Sequence, residues 1–104
     1  MWIREWKCRC PIDTADDFIH YLDQTGVSDT QSIEGCTGHK VMCRSLNGEM
    51  EIMLSTYWQS LDAMKAYAGD DIYKAVLYPD DYKYRIEPDT KVRVYEVNSI
   101  EEGH

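Results

Sequence analysis

The dipeptide Asn47-Gly48, set between two runs of alternating apolar and polar residues, constrains the fold of this chain more than any other feature. A tight hairpin turn needs positive φ at its central residues, which asparagine and glycine adopt at low cost, so the pair predicts a two-residue connection between antiparallel strands. With the turn at the tip, Arg44 lies opposite Glu51, Met42 opposite Met53 and Cys43 opposite Ile52. An opposite-charge pair and an apolar pair in register support that placement. On the other face Val41 meets Leu54, His39 meets Thr56 and Thr37 meets Trp58, which makes His39 and Trp58 diagonal neighbours within side-chain reach.

The remaining elements follow from period and punctuation. Residues 2–10 alternate as a strand, with Trp2, Arg4, Trp6, Cys8 and Cys10 on the core face. Thr14-x-x-Asp17 has the spacing of a capping box, Ala15, Phe18, Ile19 and Leu22 recur at helical spacing, and Gly26 offers a stop. From Val27 to Thr37 no period is present, which predicts a loop. Ser60 is placed to cap a helix carrying Leu61, Met64, Tyr67 and Ala68 up to Gly69. A second short helix is expected from about Asp71 to Leu77, then a tyrosine-bearing loop from Tyr78 to Thr90, then a last strand from Lys91 to Val97. The order β-α-β-β-α-β predicts an α+β, ferredoxin-like fold: a four-stranded antiparallel sheet with its helices on one face.

That leaves one sheet face uncovered, carrying Glu5, Lys7, Arg9, Lys40, Met42, Arg44, Glu51, Met53, Ser55 and Tyr57. It is too apolar for ordinary solvent surface and too charged for a core, and an isologous homodimer packed through the sheet faces would suit it. At 104 residues with 43% hydrophobic side chains, the chain is expected to be one domain over residues 1–104. A net charge of −8 argues against nucleic acid and against an anionic membrane as partners. No run reaches the roughly 18 apolar residues of a membrane span, and the charged start does not read as a signal peptide, so a cytoplasmic location is expected. There Cys8, Cys10, Cys36 and Cys43 are expected to be free thiols. No cysteine and histidine spacing suits zinc, and the acidic pairs at Asp70-Asp71 and Asp80-Asp81 need no ion to explain them.

The segment Tyr57-Trp58-Gln59-Ser60, continuing through Ala66-Tyr67-Ala68-Gly69 to Tyr78-Pro79-Asp80-Asp81, resembles the equivalent stretch of antibiotic-biosynthesis-monooxygenase-like domains of the dimeric α/β-barrel superfamily. Weaker agreement lies at Gly35-Cys36-Thr37-Gly38 and over 92–97. The resemblance implies a dimeric barrel and a cofactor-independent monooxygenase that oxidises a small aromatic (a phenol, quinol or polyketide-like compound) with O2, using no metal or flavin. That chemistry needs a proton acceptor, donors for the substrate anion and an apolar wall. His39 is assigned the base role, Arg4 and Tyr67 the donor roles, and Trp58, Trp6, Thr56, Leu54 and Met64 the pocket. The resemblance has gaps: Leu54 stands where active members carry an asparagine, and no histidine lies near Leu77, where the haem-degrading branch binds iron. A haem-degrading activity is therefore disfavoured, and the competing reading is a non-catalytic dimeric domain that binds a hydrophobic small molecule or serves assembly.

Other residues carry less. Arg4, on an apolar strand face, demands either an acid such as Glu96 or a ligand oxygen. Tyr73, Tyr78, Tyr82 and Tyr84 are expected at a rim or interface, and His20 and His104 are expected to be uninvolved.

Overall fold

The computed structural model describes residues 1–101; His104 lies outside them. Strand β1 (Trp2–Pro11) runs at the middle of an antiparallel sheet, with β3 (Glu49–Trp58) on one side and β2 (Cys36–Leu46) beyond it. The other edge of β1 pairs with two pieces, β4 (Glu87–Pro88) at Cys8 and Arg9, and β5 (Arg93–Glu96) at Trp2 to Glu5. These are the halves of one interrupted fourth strand, so the sheet order is that of a ferredoxin-like fold. Helices α1 (Ile12–Leu22) and α3 (Leu61–Ala68) cover one face. The molecule measures 37 × 36 × 20 Å, the thickness of one sheet and one helical layer.

The hairpin register is the one the turn implies: Asn47 and Gly48 both have positive φ, and Arg44 faces Glu51, with Arg44 Nε donating to Glu51 Oε1 at 3.0 Å. It holds back to Gly38 opposite Tyr57 and then slips. A bulge leaves Thr37 unpaired and sets Cys36, not Thr37, opposite Trp58. The cause lies at Gly35, whose carbonyl accepts the N–H of Gln59 at 2.8 Å while its own φ is +95°. A Cβ there would stand 2.6 Å from the Cβ of Ala63, so the strand can begin beside α3 only with glycine at this position.

Three helical expectations are corrected. Pro11 precedes α1, so Thr14 lies inside the first turn and caps nothing; its hydroxyl reaches the carbonyls of Tyr84 at 2.8 Å and Pro11 at 3.1 Å, tying the helix to the turn beneath it. Gly26 does not stop the helix. The chain passes through a π-helical turn, Asp23–Val27, directly into α2 (Ser28–Gln31), because Gly26 and Val27 are buried against the sheet and Thr30 Oγ1 returns a hydrogen bond to the Gly26 carbonyl at 2.9 Å. The first part of the expected loop is therefore helical.

The expected helix from Asp71 to Leu77 does not form, because its carbonyls are claimed from elsewhere. Ile72 O and Lys74 O accept from Arg4, at 3.2 and 2.7 Å, and Tyr73 O accepts from the N–H of Val92 at 2.8 Å. Ala75 N–H donates to Thr90 O at 2.9 Å. Residues 73–75 thus bridge 90–92, which pulls that stretch off β1 and splits the fourth strand. The only helical turn in this region is a short 3-10 turn at Asp81–Tyr84.

Two apolar clusters fill the space between the layers. One gathers Trp6, Cys8, Cys10, Phe18, Leu22, Ile52 and Leu54, and the other Trp58, Met64 and Ile72. The four cysteines are unpaired, and burial pushes the Cys8 and Cys10 thiols up, away from the reactive thiolate. Gly35→Ala is expected to lower stability by about 1–3 kcal/mol in chemical denaturation, through its positive φ and the clash with Ala63.

Candidate functional site

The side chains on the helix-covered face of β1 and β3 form rows. Trp2 pairs with Trp58, Arg4 with Thr56 and Trp6 with Leu54. Arg4 therefore lies in a polar row between two apolar ones, and at 5% exposure its guanidinium is withdrawn from water. Nε and Nη2 spend donors on the Ile72 and Lys74 carbonyls, and Nη1 makes no hydrogen bond among the described residues. Neither Glu96 nor any other carboxylate pairs with it there. Burial draws its pKa down, while the phenols of Tyr67 and Tyr78 act in the opposite sense.

Above this row α3 delivers Tyr67. Ser60 caps the helix by accepting the N–H of Ala63 at 3.1 Å, and Gly69 closes it with positive φ, as expected from sequence. The ring of Tyr67 stacks on Trp58, with centroids 6.3 Å apart, and the Arg4 guanidinium carbon sits 5.5 Å from its centre. Trp58 is fully buried and donates from Nε1 to Thr56 Oγ1 at 2.8 Å, which fixes the orientation of the indole beneath Tyr67.

Between Arg4, Trp6, Leu54 and Tyr67 on one side and Gly26, Tyr78 and Asp81 on the other lies a cavity of about 20 Å³. It is the size of one water molecule. Gly26 keeps it open: a Cβ there would lie 3.4 Å from Leu22 and Leu54 and 3.8 Å from the Tyr67 hydroxyl. The cavity thus unites four residues expected at the site, Arg4, Tyr67, Trp6 and Leu54. Trp58, Thr56 and Met64, expected in the pocket, are buried but do not line this cavity. His39 does not reach it; it occupies the same row as Thr56, but on the edge strand, where it is exposed.

Two wall residues, Tyr78 and Asp81, and Asp29 behind them carry chemistry that the sequence analysis did not assign to them. Tyr78 Oη lies 3.1 Å from Tyr67 Oη and donates to Asp29 Oδ2 at 2.7 Å. Burial pushes both phenols up, and for Tyr78 the hydrogen bonds to Tyr67 and Asp29 add to the effect. Asp81, at 8% exposure, accepts the Tyr78 N–H at 2.8 Å, and burial raises its carboxyl above the ordinary range. The acid pair at 80–81 holds a turn here. Among the described residues no group of three or more His, Cys, Asp or Glu is placed to hold a metal ion, and no helix is long and apolar enough to cross a membrane.

On the opposite face the sheet is bare. Lys7, Met42, Arg44, Glu51 and Met53 surround a hollow of about 280 Å³. On this face Arg44 pairs with Glu51, Arg93 with Glu5 at 2.9 Å and Arg9 with Glu87 at 3.4 Å, Lys7 and Lys40 make no salt bridge among the described residues, and Met42 stands 42% exposed.

A two-layer ferredoxin-like sheet with its helices on one face defines a class of fold, and solved structures share that fold. A protein from Bacillus cereus provisionally named an antibiotic biosynthesis monooxygenase matches all of this chain and 97% of its own length at TM-score 0.71 and 18% identity. One from Deinococcus radiodurans, named in the same way, matches all of this chain and 99% of its own at TM-score 0.67 and 18% identity. A dimeric ferredoxin-like protein from an uncultured marine organism matches 95% of this chain and 97% of its own at TM-score 0.52 and 9% identity. No family model and no curated protein matches the sequence. The chain has the fold of antibiotic-biosynthesis-monooxygenase-type domains, as the resemblance over Tyr57 to Asp81 implies.

Because its pKa is raised in the folded state, Asp81 costs stability once ionised, and that cost fades as pH falls through its folded pKa toward the unfolded value. Asp81→Asn is expected to match or exceed the wild type in urea denaturation at pH 7, with the difference shrinking in acid.

Proposed function

We propose that this chain is an antibiotic-biosynthesis-monooxygenase-type enzyme that oxidises a small aromatic, a phenol, quinol or polyketide-like compound, with O2 and without metal or flavin. In such a reaction the deprotonated substrate is the reductant, one oxygen atom entering the ring system and the other leaving as water. The observation that carries the reading is Arg4, a buried cation with no carboxylate partner among the described residues, on the wall of a cavity it shares with two phenols and an indole. A guanidinium so placed stabilises a developing oxyanion without reorganising. Trp6 and Leu54 supply the apolar wall, and the irregular stretch 70–80 is the part of the enclosure with least regular structure to lose on admitting a ring. Free cysteines suit a reducing cytoplasm.

The working unit is proposed to be a homodimer closed through the bare sheet faces. The exposed Met42 and the adjoining Met53 supply apolar contact, and the paired Arg44 and Glu51 need no new partner. Met53→Glu is expected to give a folded monomer in analytical ultracentrifugation, and a dimer that persists would place the interface elsewhere.

A specific observation favours a second reading. With room for one water, and Leu54 in place of a hydrogen-bonding residue, the cavity also suits a non-catalytic domain that binds a hydrophobic small molecule or serves assembly. Oxygen uptake by metal-stripped protein over a panel of quinols and polycyclic phenols separates the two. The enzyme reading expects uptake above the uncatalysed rate, reduced at least tenfold by Gly26→Ala, whose methyl group fills the cavity while meeting only ordinary contacts. That variant should melt at or above the wild-type temperature, since alanine suits a helix better than glycine. Absence of uptake with every compound transfers the assignment to binding or assembly.

A further inference from the structure

We infer that Tyr67, Tyr78 and Asp29 form a proton path, polarised at rest toward Asp29, that carries a ligand's hydroxyl proton out of the cavity to the surface. The inference rests on the enzyme reading for the identity of the ligand, a small molecule with an acidic phenolic or enolic hydroxyl, but the path itself follows from hydrogen-bond direction. A carboxylate has lone pairs and no proton to give, so Tyr78 Oη must donate to Asp29 Oδ2 across their 2.7 Å contact. Its single proton is then committed, and toward Tyr67, 3.1 Å away, Tyr78 is left with only lone pairs. Tyr67 must therefore donate to Tyr78. At rest its hydroxyl offers the cavity an acceptor, where the sequence alone suggests a donor.

That polarity determines which step is possible. A ligand hydroxyl hydrogen-bonded to Tyr67 Oη passes its proton there as the Tyr67 proton moves to Tyr78 Oη and the Tyr78 proton to Asp29 Oδ2. Three O–H bonds break and three form. The electron pair of the first stays on the ligand oxygen, and no oxidant takes part. In effect a negative charge is transferred from an exposed carboxylate in α2 to a buried oxygen on the wall of Arg4. The cavity has the cation ready for it, 5.5 Å from the Tyr67 ring centre and without a counter-ion among the described residues. Asp29, now a neutral carboxyl at the surface, loses the proton to water. Tyr67 is the residue that touches the ligand, and Tyr78 and Asp29 act through it.

The path is tested on the whole protein with tyrosine labelled at the carbon bearing the hydroxyl and read by nuclear magnetic resonance. Asp29→Asn, an exposed substitution, is expected to shift the resonances of both Tyr78 and Tyr67, although Asp29 makes no hydrogen bond to Tyr67. In a Tyr78→Phe background the same substitution is expected to leave Tyr67 unmoved. A Tyr67 resonance indifferent to Asp29→Asn in otherwise native protein would overturn the path. With any quinol that the wild type oxidises, Tyr78→Phe should lower turnover at least tenfold and reduce the solvent deuterium isotope effect, with little change in KM. Turnover retained with an unaltered isotope effect would equally reject it. If no quinol is oxidised, the enzyme reading fails and the resonance experiment still decides the path.

Discussion

The guanidinium of Arg4 is the interaction on which the rest of the arrangement depends. A buried arginine without a carboxylate would ordinarily be too costly to keep, and here two backbone carbonyls from a segment with no ladder of its own meet the need. The exchange is mutual. Ile72 and Lys74 give up helical hydrogen bonds to bind Arg4, the stretch around them bridges Thr90 to Val92 instead, and the fourth strand divides in consequence. The same side chain then lies on the cavity wall beside the ring of Tyr67. One side chain thus fixes a loop, breaks a strand and charges a site.

The parts of this structure governed by neighbours in sequence could be read from it. Asn47-Gly48 set the hairpin register, Ser60 and Gly69 bounded α3, and the alternation from Trp2 to Cys10 told the core face from the bare one. What failed to show was decided at a distance. The helix expected at Asp71 to Leu77 has an adequate local pattern and loses to an arginine 68 residues away. Tyr78 and Asp29 are 49 positions apart and have no spacing that would mark them as partners. His39 fell on the expected face but at an edge, since strand alternation gives the side of a sheet and says nothing of how far the covering layer extends. The cavity itself was outlined by Arg4, Trp6, Leu54 and Tyr67, while the residues closing it came from segments without period.

The two faces of the sheet illustrate opposite uses of charge. On the bare face arginine and glutamate neutralise one another between adjacent strands, and the lysines beside them, Lys7 and Lys40, are left to water. Under the helices a single cation is left unneutralised by any carboxylate described, in surroundings of low dielectric where its reach is longer. An anion generated anywhere near the chain gains most at that one place.

The π-helical turn at Asp23–Val27 has a consequence for how this chain can vary. Each residue advances an α-helix by about 100°, and the wider π turn holds one more residue for about the same rotation. Asp29 faces Tyr78, and Thr30 faces the core, from beyond that turn. Deleting a single residue between 23 and 27 would let regular winding resume with Asp29 and Thr30 still facing roughly as they do, because the wide turn rotates the chain about as far as an ordinary turn with one residue fewer. The segment therefore has room to lose one residue, whereas any larger change of length would turn Asp29 and Thr30 from their partners.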